Sequence, residues 1–186
     1  MPDDEKPAVR WLPFQLNPDL PEAGVPRREY IERKFGVGNS RNHSRVAGIG
    51  KEVSIDFAFD DIKVQPNTLN AHRLMNYGAK HGHEDEVAEN LFRAYFQEGA
   101  NLTDKAVLAA IGVRAGLARA ALEAYLASDE DREAVLGADI DIRQAGINGV
   151  PFFIFNRRTG VSGAHEPETL LQAMMDSLKD MRDDTK

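Results

Sequence analysis

Gly146–Met174 reads GINGVPFFIFNRRTGVSGAHEPETLLQAM, and the order of signals in it sets the fold class. Asn148-Gly149 is a turn signal, Val150-Pro151 follows, and Phe152 to Phe155 is a short apolar run of the kind that forms a buried strand. Asn156 to Gly160 then reads as a hairpin connection to a second strand at Val161-Ser162-Gly163. Pro167 suits the first turn of a final helix. Leu170, Leu171, Met174, Met175 and Leu178 recur at helical spacing and are expected to face a core.

Upstream of this end the pattern is helical for most of ninety residues. Ser128 with Asp131 three residues later resembles a capping box, opening a helix that Gly146 ends. Leu117 to Leu126, Thr103 to Ile111 and Glu84 to Glu98 read as helices bounded by Gly116 and Gly99, and Asn67 or Thr68 caps another running to about Ala79. In Glu84 to Glu98 the rows Val87, Leu91, Tyr95 and Ala88, Phe92, Phe96 read as core rather than as a cofactor box. Val53 to Phe59 alternates with period two and predicts a short extended segment. Gly36 to Gly50 is polar and glycine-rich and predicts a loop. Arg27 to Phe35 predicts a helix ended by Gly36. Val9 to Leu16 (VRWLPFQL) predicts a strand, with Pro13 at an edge or bulge. No internal repeat is present, and the order of elements predicts an α/β sheet with a helical insertion.

Composition narrows the function classes. With 186 residues, 42% of them hydrophobic, the chain can bury a core without a disulfide or metal staple. Its net charge of −7 is spread along the chain, which argues against a nucleic-acid partner. Met1 to Lys6 carries charge and no apolar run, so neither a secretory signal nor a membrane span is read, and the expectation is a cytoplasmic protein with no membrane partner. There is no cysteine anywhere, so no thiol or disulfide chemistry can be done by its own side chains. No phosphate loop, dinucleotide fingerprint or nucleophile elbow is present.

Taken together, Gly146 to Met174 resembles the end of DsbA-type thioredoxin folds. WLPFQLNPDLP (Trp11 to Pro21), REYIERKFG (Arg28 to Gly36) and PNTLNAHRL (Pro66 to Leu74) resemble the FrnE-like branch of that family, which is related to 2-hydroxychromene-2-carboxylate isomerases. The resemblance implies an α/β, thioredoxin-like fold of DsbA type with a large helical insertion. Residues 1–26 and 147–186 would form the incomplete core and 27–146 the mainly helical insertion. Family members begin with a strand, a CxxC redox motif and a first helix. A strand plus crossover helix needs roughly 30 residues, so the chain reads as N-terminally truncated relative to the family. A start codon assigned too far downstream, a deliberate shortening and a genuine loss would each account for this. The missing strand would lie between Val9 to Leu16 and Phe152 to Phe155, so two sheet edges are expected to need cover. A homodimer with strand exchange, a replacement segment or a rearranged sheet would each supply it.

The resemblance also nominates site residues. Pro151 is expected to be cis, turning the backbone of Val150 toward a peptide or glutathione that pairs with it like an added strand; otherwise it only ends a turn. Asn67, Thr68 and His72 are implied to line the pocket opposite, although Asn and Thr at a helix start also bond their own backbone. His72 has the right ordinary pKa for a proton carrier, and is as readily a satisfied partner of a neighbour. His81, His83 and Glu84 crowd three metal-ligand types into four residues without a companion cluster, so no metal site is assigned. His43, His165, Arg157 and Arg158 read as solvated loop residues.

Three functions follow. The first is a thiol–disulfide oxidoreductase of FrnE type whose redox segment is absent from this chain, leaving it without a catalytic residue and inactive as given. The second is a glutathione-dependent isomerase of the 2-hydroxychromene-2-carboxylate type, with glutathione as the cofactor. The third is a non-catalytic peptide-binding thioredoxin-fold protein. The partner in each is a thiol or disulfide peptide, or glutathione.

Overall fold

A computed structural model describes residues 7–36 and 41–183. The reading of Met1 to Lys6, and the part of the expected loop at 37–40, lie outside the described residues. The chain divides into two compact units, Met1–Ala138 and Asp139–Lys186.

The first unit is helical. After a two-residue ribbon strand, β1 (Val25–Pro26), come α1 (Arg27–Phe35), α2 (Arg41–Glu52), β2 (Val64–Gln65), α3 (Leu69–Lys80), α4 (Glu84–Phe96), α5 (Lys105–Arg114) and α6 (Arg119–Ala127). β1 and β2 pair antiparallel, Val25 opposite Gln65. The core gathers the inner faces of α3 to α6: Leu74, Val87, Ala94, Leu108, Ile111, Leu122 and Leu126 are all essentially inaccessible. These residues recur at three- and four-residue spacing, so each helix turns one stripe inward. Gly112 permits the closest approach: a Cβ there would lie 2.6 Å from Leu122 Cδ1 and 3.1 Å from Leu74 Cδ1. Gly99 (φ +65°) and Gly116 (φ +95°) end α4 and follow α5 in the left-handed region, as their sequence positions predict. Asp104 caps α5 by accepting from Ala106 N at 2.8 Å.

Four expectations for this unit are corrected. Val9 to Leu16 forms no ladder among the described residues. It is an extended strap fastened by Trp11, whose backbone N–H donates to Glu84 Oε1 (3.1 Å) and whose indole Nε1 donates to Asp85 Oδ1 (2.9 Å). Side-chain anchoring to the first turn of α4 replaces strand pairing, which Pro13 already weakens by lacking a donor. The loop expected at Gly36 to Gly50 contains α2 instead, because Val46, Ala47 and Ile49 tolerate helix despite the glycines around them. The alternation at Val53 to Phe59 reflects aromatic packing: Phe57 stacks on Phe59 at 4.8 Å and both set their edges against Phe96. Finally, Ser128 and Asp131 do not form a reciprocal box. Ser128 Oγ accepts from Glu130 N at 3.1 Å, while the Asp131 carboxylate takes Lys80 and Tyr125.

The second unit follows from α7 (Arg132–Gln144), which crosses the division, through β3 (Phe152–Phe155) and β4 (Thr159–Ser162) to α8 (Pro167–Asp183). β3 and β4 form an antiparallel hairpin with Phe152 opposite Ser162 and Phe155 opposite Thr159. Asn156 (φ +52°) and Arg157 (φ +60°) make the tight turn. Asn156 Nδ2 donates to the buried Ser177 Oγ at 2.8 Å, tying the hairpin tip to α8. The strand at Phe152 to Phe155 is present but not buried: Ile154 is 44% exposed, and Leu171, Met175 and Leu178 of α8 are exposed too. A four-residue hairpin under one helix is too small to enclose the apolar faces that its sequence carries.

Candidate functional site

In the unit Asp139–Lys186 the Val150–Pro151 peptide bond is cis, the geometry that the resemblance implies. The Pro151 carbonyl accepts from Gly163 N at 2.9 Å, extending the β3/β4 ladder by one position. Antiparallel strands alternate which neighbour their backbone groups face. With Pro151 facing β4, Phe153 and Phe155 do likewise, and the N–H and C=O groups of Phe152 and Ile154 point out of the opposite edge. No strand among the described residues pairs with that edge. Val150 is 50% exposed. The unit therefore presents two outward strand positions, preceded by the exposed Val150, to which an extended chain could hydrogen-bond.

In the unit Met1–Ala138 the remaining nominated residues sit at the entry to α3. Asn67 accepts from Leu69 N with Oδ1 at 2.9 Å and donates from Nδ2 to the Leu20 carbonyl at 2.8 Å. It thus starts the helix and holds the Asn17 to Leu20 turn against it. Thr68 takes the N-cap position without a side-chain cap bond. His72 Nδ1 lies 2.8 Å from the Thr68 carbonyl. A carbonyl only accepts, so Nδ1 carries the proton in this contact. Asn67, Thr68 and His72 are brought together by consecutive turns of one helix start. Val150 and Pro151 belong to the other unit.

Two polar networks in this unit carry no signal in the sequence. Arg73, 1% exposed, donates to Asn70 Oδ1 and to the carbonyls of Tyr125, Ser128 and Glu130, with its guanidinium 5.0 Å from the Tyr125 ring centroid. The single Tyr125 O–H is shared between the Arg73 carbonyl and the Asp131 carboxylate, each 2.9 Å away, and burial pushes its ionisation well up, so it remains a donor. The second network joins Arg27 to Gln65 Oε1 (2.7 Å) and the Tyr95 hydroxyl (3.0 Å), while Lys34 donates to Tyr30 and Tyr30 to Asn17. Each side chain reads as an ordinary surface or helix residue in the sequence; only the fold reveals their acceptors. No group of three or more His, Asp or Glu among the described residues is placed to hold a metal ion. No described helix is long and apolar enough to cross a membrane.

Comparison with known proteins agrees with this architecture. Residues 3–175 match the family model described as a DSBA-like thioredoxin domain. The uncharacterized protein YwbO of Bacillus subtilis (strain 168) is 24% identical over 179 residues, spanning 92% of this chain and 82% of that protein. The crystal structure of a probable DsbA oxidoreductase from Streptomyces coelicolor superposes with a TM-score of 0.82 at 23% identity, over 89% of this chain and 73% of that one. At that identity the likeness is one of fold.

Proposed function

Because the chain belongs to the DSBA-like thioredoxin domain family, we propose that it is the substrate-side body of a FrnE-type thiol–disulfide oxidoreductase, binding disulfide-bearing peptide along β3. Disulfide exchange requires a thiolate to attack one sulfur while the other leaves as thiolate. With no cysteine, this chain supplies neither attacking nor resolving sulfur, and both electrons of a reduction must come from thiols outside these residues. Its own contribution is to hold the peptide extended. The division into a core at 1–26 and 147–186 around a helical insertion at 27–146 belongs to the same proposal, supported by the run of helices α1 to α7.

The observation that carries this reading is the unpaired outward edge at Phe152 and Ile154, with Val150 exposed before them. A short disulfide-bonded peptide, titrated into isotope-labelled protein, should shift the amide resonances of these three residues, and the protein alone should not accelerate insulin-disulfide reduction. Insulin reduction by the cysteine-free chain would refute the proposal. So would a peptide titration that leaves all three amides unmoved.

A further inference from the structure

We infer that Arg27, with Tyr95 beside it, forms a receptor for a carboxylate, a second ligand site that lies wholly within Met1–Ala138 and does not depend on the peptide reading of β3.

Arg27 opens α1, and its Nη1 is spent on two neutral oxygens, Gln65 Oε1 and the Tyr95 hydroxyl. Its Nε is buried with no acceptor. No carboxylate among the described residues pairs with it: Glu32 on the same helix is taken by Arg28 at 2.8 Å, and Glu29 in the first turn makes no pair with it. A half-buried guanidinium that meets only neutral oxygens is left with its charge uncompensated. The edge that remains, Nε–H beside Nη2–H, is the parallel fork that matches the two oxygens of a carboxylate.

The neighbours add donors. The Tyr95 oxygen accepts from Arg27, so its own proton is left to give. Burial raises the Tyr95 ionisation, with Arg27 opposing, and the phenol keeps that proton at neutral pH. Lys34 donates to the Tyr30 hydroxyl at 2.9 Å, lies 5.3 Å from that ring's centroid, and has no carboxylate partner among the described residues. Tyr30 is held in turn by Asn17 at 2.7 Å. In a chain of net charge −7, the Arg27 guanidinium and the Tyr95 phenol therefore stand together with no carboxylate paired to either among the described residues. One fork and one directly attached charge suit a monoanionic carboxylate better than a phosphate dianion.

The test uses the full chain, labelled with nitrogen-15, and follows the Arg27 Nε–H resonance at constant ionic strength. The probes are acetate, oxidised glutathione and inorganic phosphate. Both carboxylate probes should move that resonance saturably, and phosphate should bind several-fold more weakly. A tighter response to glutathione than to acetate would mark the ligand as peptide-like, and equal responses would mark it as a small free acid. Arg27→Gln should weaken glutathione binding, read by calorimetry, at least about tenfold, the loss expected for a charge-assisted hydrogen bond. Tyr95→Phe should weaken it by a smaller factor while keeping the ring packing, and serves if Arg27→Gln does not fold. The inference falls if neither carboxylate moves the resonance, if phosphate binds as tightly, or if Tyr95→Phe and Arg27→Gln bind as the parent does. The readout is Arg27 itself, so it fails or succeeds independently of the Val150, Phe152 and Ile154 amides.

Discussion

Replacing Arg73 by methionine should destabilise the helical unit by about 3 kcal/mol, and the figure follows from where its donors go. Nε reaches the Glu130 carbonyl at 2.9 Å, Nη1 reaches Asn70 Oδ1 at 2.8 Å, and Nη2 reaches the Tyr125 and Ser128 carbonyls at 2.9 and 2.7 Å. Three of these acceptors lie in the last turn of α6 or just beyond it, where carbonyls lack helical donors. Methionine keeps the stem's volume and removes every donor. Tyr125 O retains the Ser128 hydroxyl at 2.8 Å, and the Ser128 and Glu130 carbonyls are only part-buried and can take water. Asn70 Oδ1 is left buried without its donor, at roughly 1–3 kcal/mol, and the others lose about 0.5–1.5 kcal/mol apiece. Relief from burying a guanidinium among neutral acceptors offsets part of the sum. Urea unfolding followed by far-ultraviolet circular dichroism should show a lower midpoint at unchanged slope, with a melting temperature lower by about 6–12 °C. Arg73→Lys should recover less than half, since an ammonium cannot span the carbonyls at both of its sides. A methionine variant within about 0.5 kcal/mol of the parent would show that the guanidinium is tolerated rather than needed.

Two further outcomes follow from local geometry. Burial alone would raise the Asp131 carboxyl, but hydrogen bonds from Lys80 (2.6 Å) and Tyr125 (2.9 Å) outweigh it and hold its pKa below the ordinary 3.8. The folded value lies below the unfolded one, so the stability that Asp131 adds is complete above the unfolded pKa and is lost as pH falls through the folded one. Asp131→Asn, which tolerates the left-handed backbone there (φ +61°), should flatten the acid limb of a denaturation-midpoint profile; parallel limbs would contradict it. Arg157→Gly should stabilise the β3/β4 hairpin by about 0.5–1 kcal/mol, because Arg157 holds φ +60° at a turn position that favours glycine. Slower amide exchange at Phe153 and Val161 would register the gain, and faster exchange would show that the turn is unstrained.

Helices were legible wherever two independent signals coincided. α4 and α5 each combine apolar helical spacing with a glycine just beyond their ends, α8 combines it with a proline at its start, and the observed ends fall within a few residues of those marks. Strands were legible only in part. VRWLPFQL and FFIF are both short apolar β-prone runs, yet one pairs with a neighbour and the other is strapped down by Trp11. Pairing belongs to two segments at once, and a single segment's composition carries no information about whether the second is in place. The burial of FFIF failed for the same reason: apolar residues advertise a face to be covered, while coverage depends on what else the fold brings there.

The candidate sites divide along a related line. Val150 and Pro151 were found because a turn signal, a proline and an apolar run stand together in sequence, and local order survives folding. Arg27 and Arg73 carry the more informative chemistry and were missed, because a basic residue in a helix is ordinarily solvated and its sequence neighbours do not reveal its acceptors. Asn70, Tyr125, Ser128 and Glu130 reach Arg73 partly from more than fifty positions away. The contrast between the two arginines is itself instructive. Arg73 spends its donors on four oxygens and is explained by the fold, whereas Arg27 keeps an unspent fork beside a tyrosine that still has a proton to give. A fold that satisfies one buried arginine so thoroughly gives no structural reason to leave the other half satisfied, and a ligand carboxylate is the simplest group that completes it.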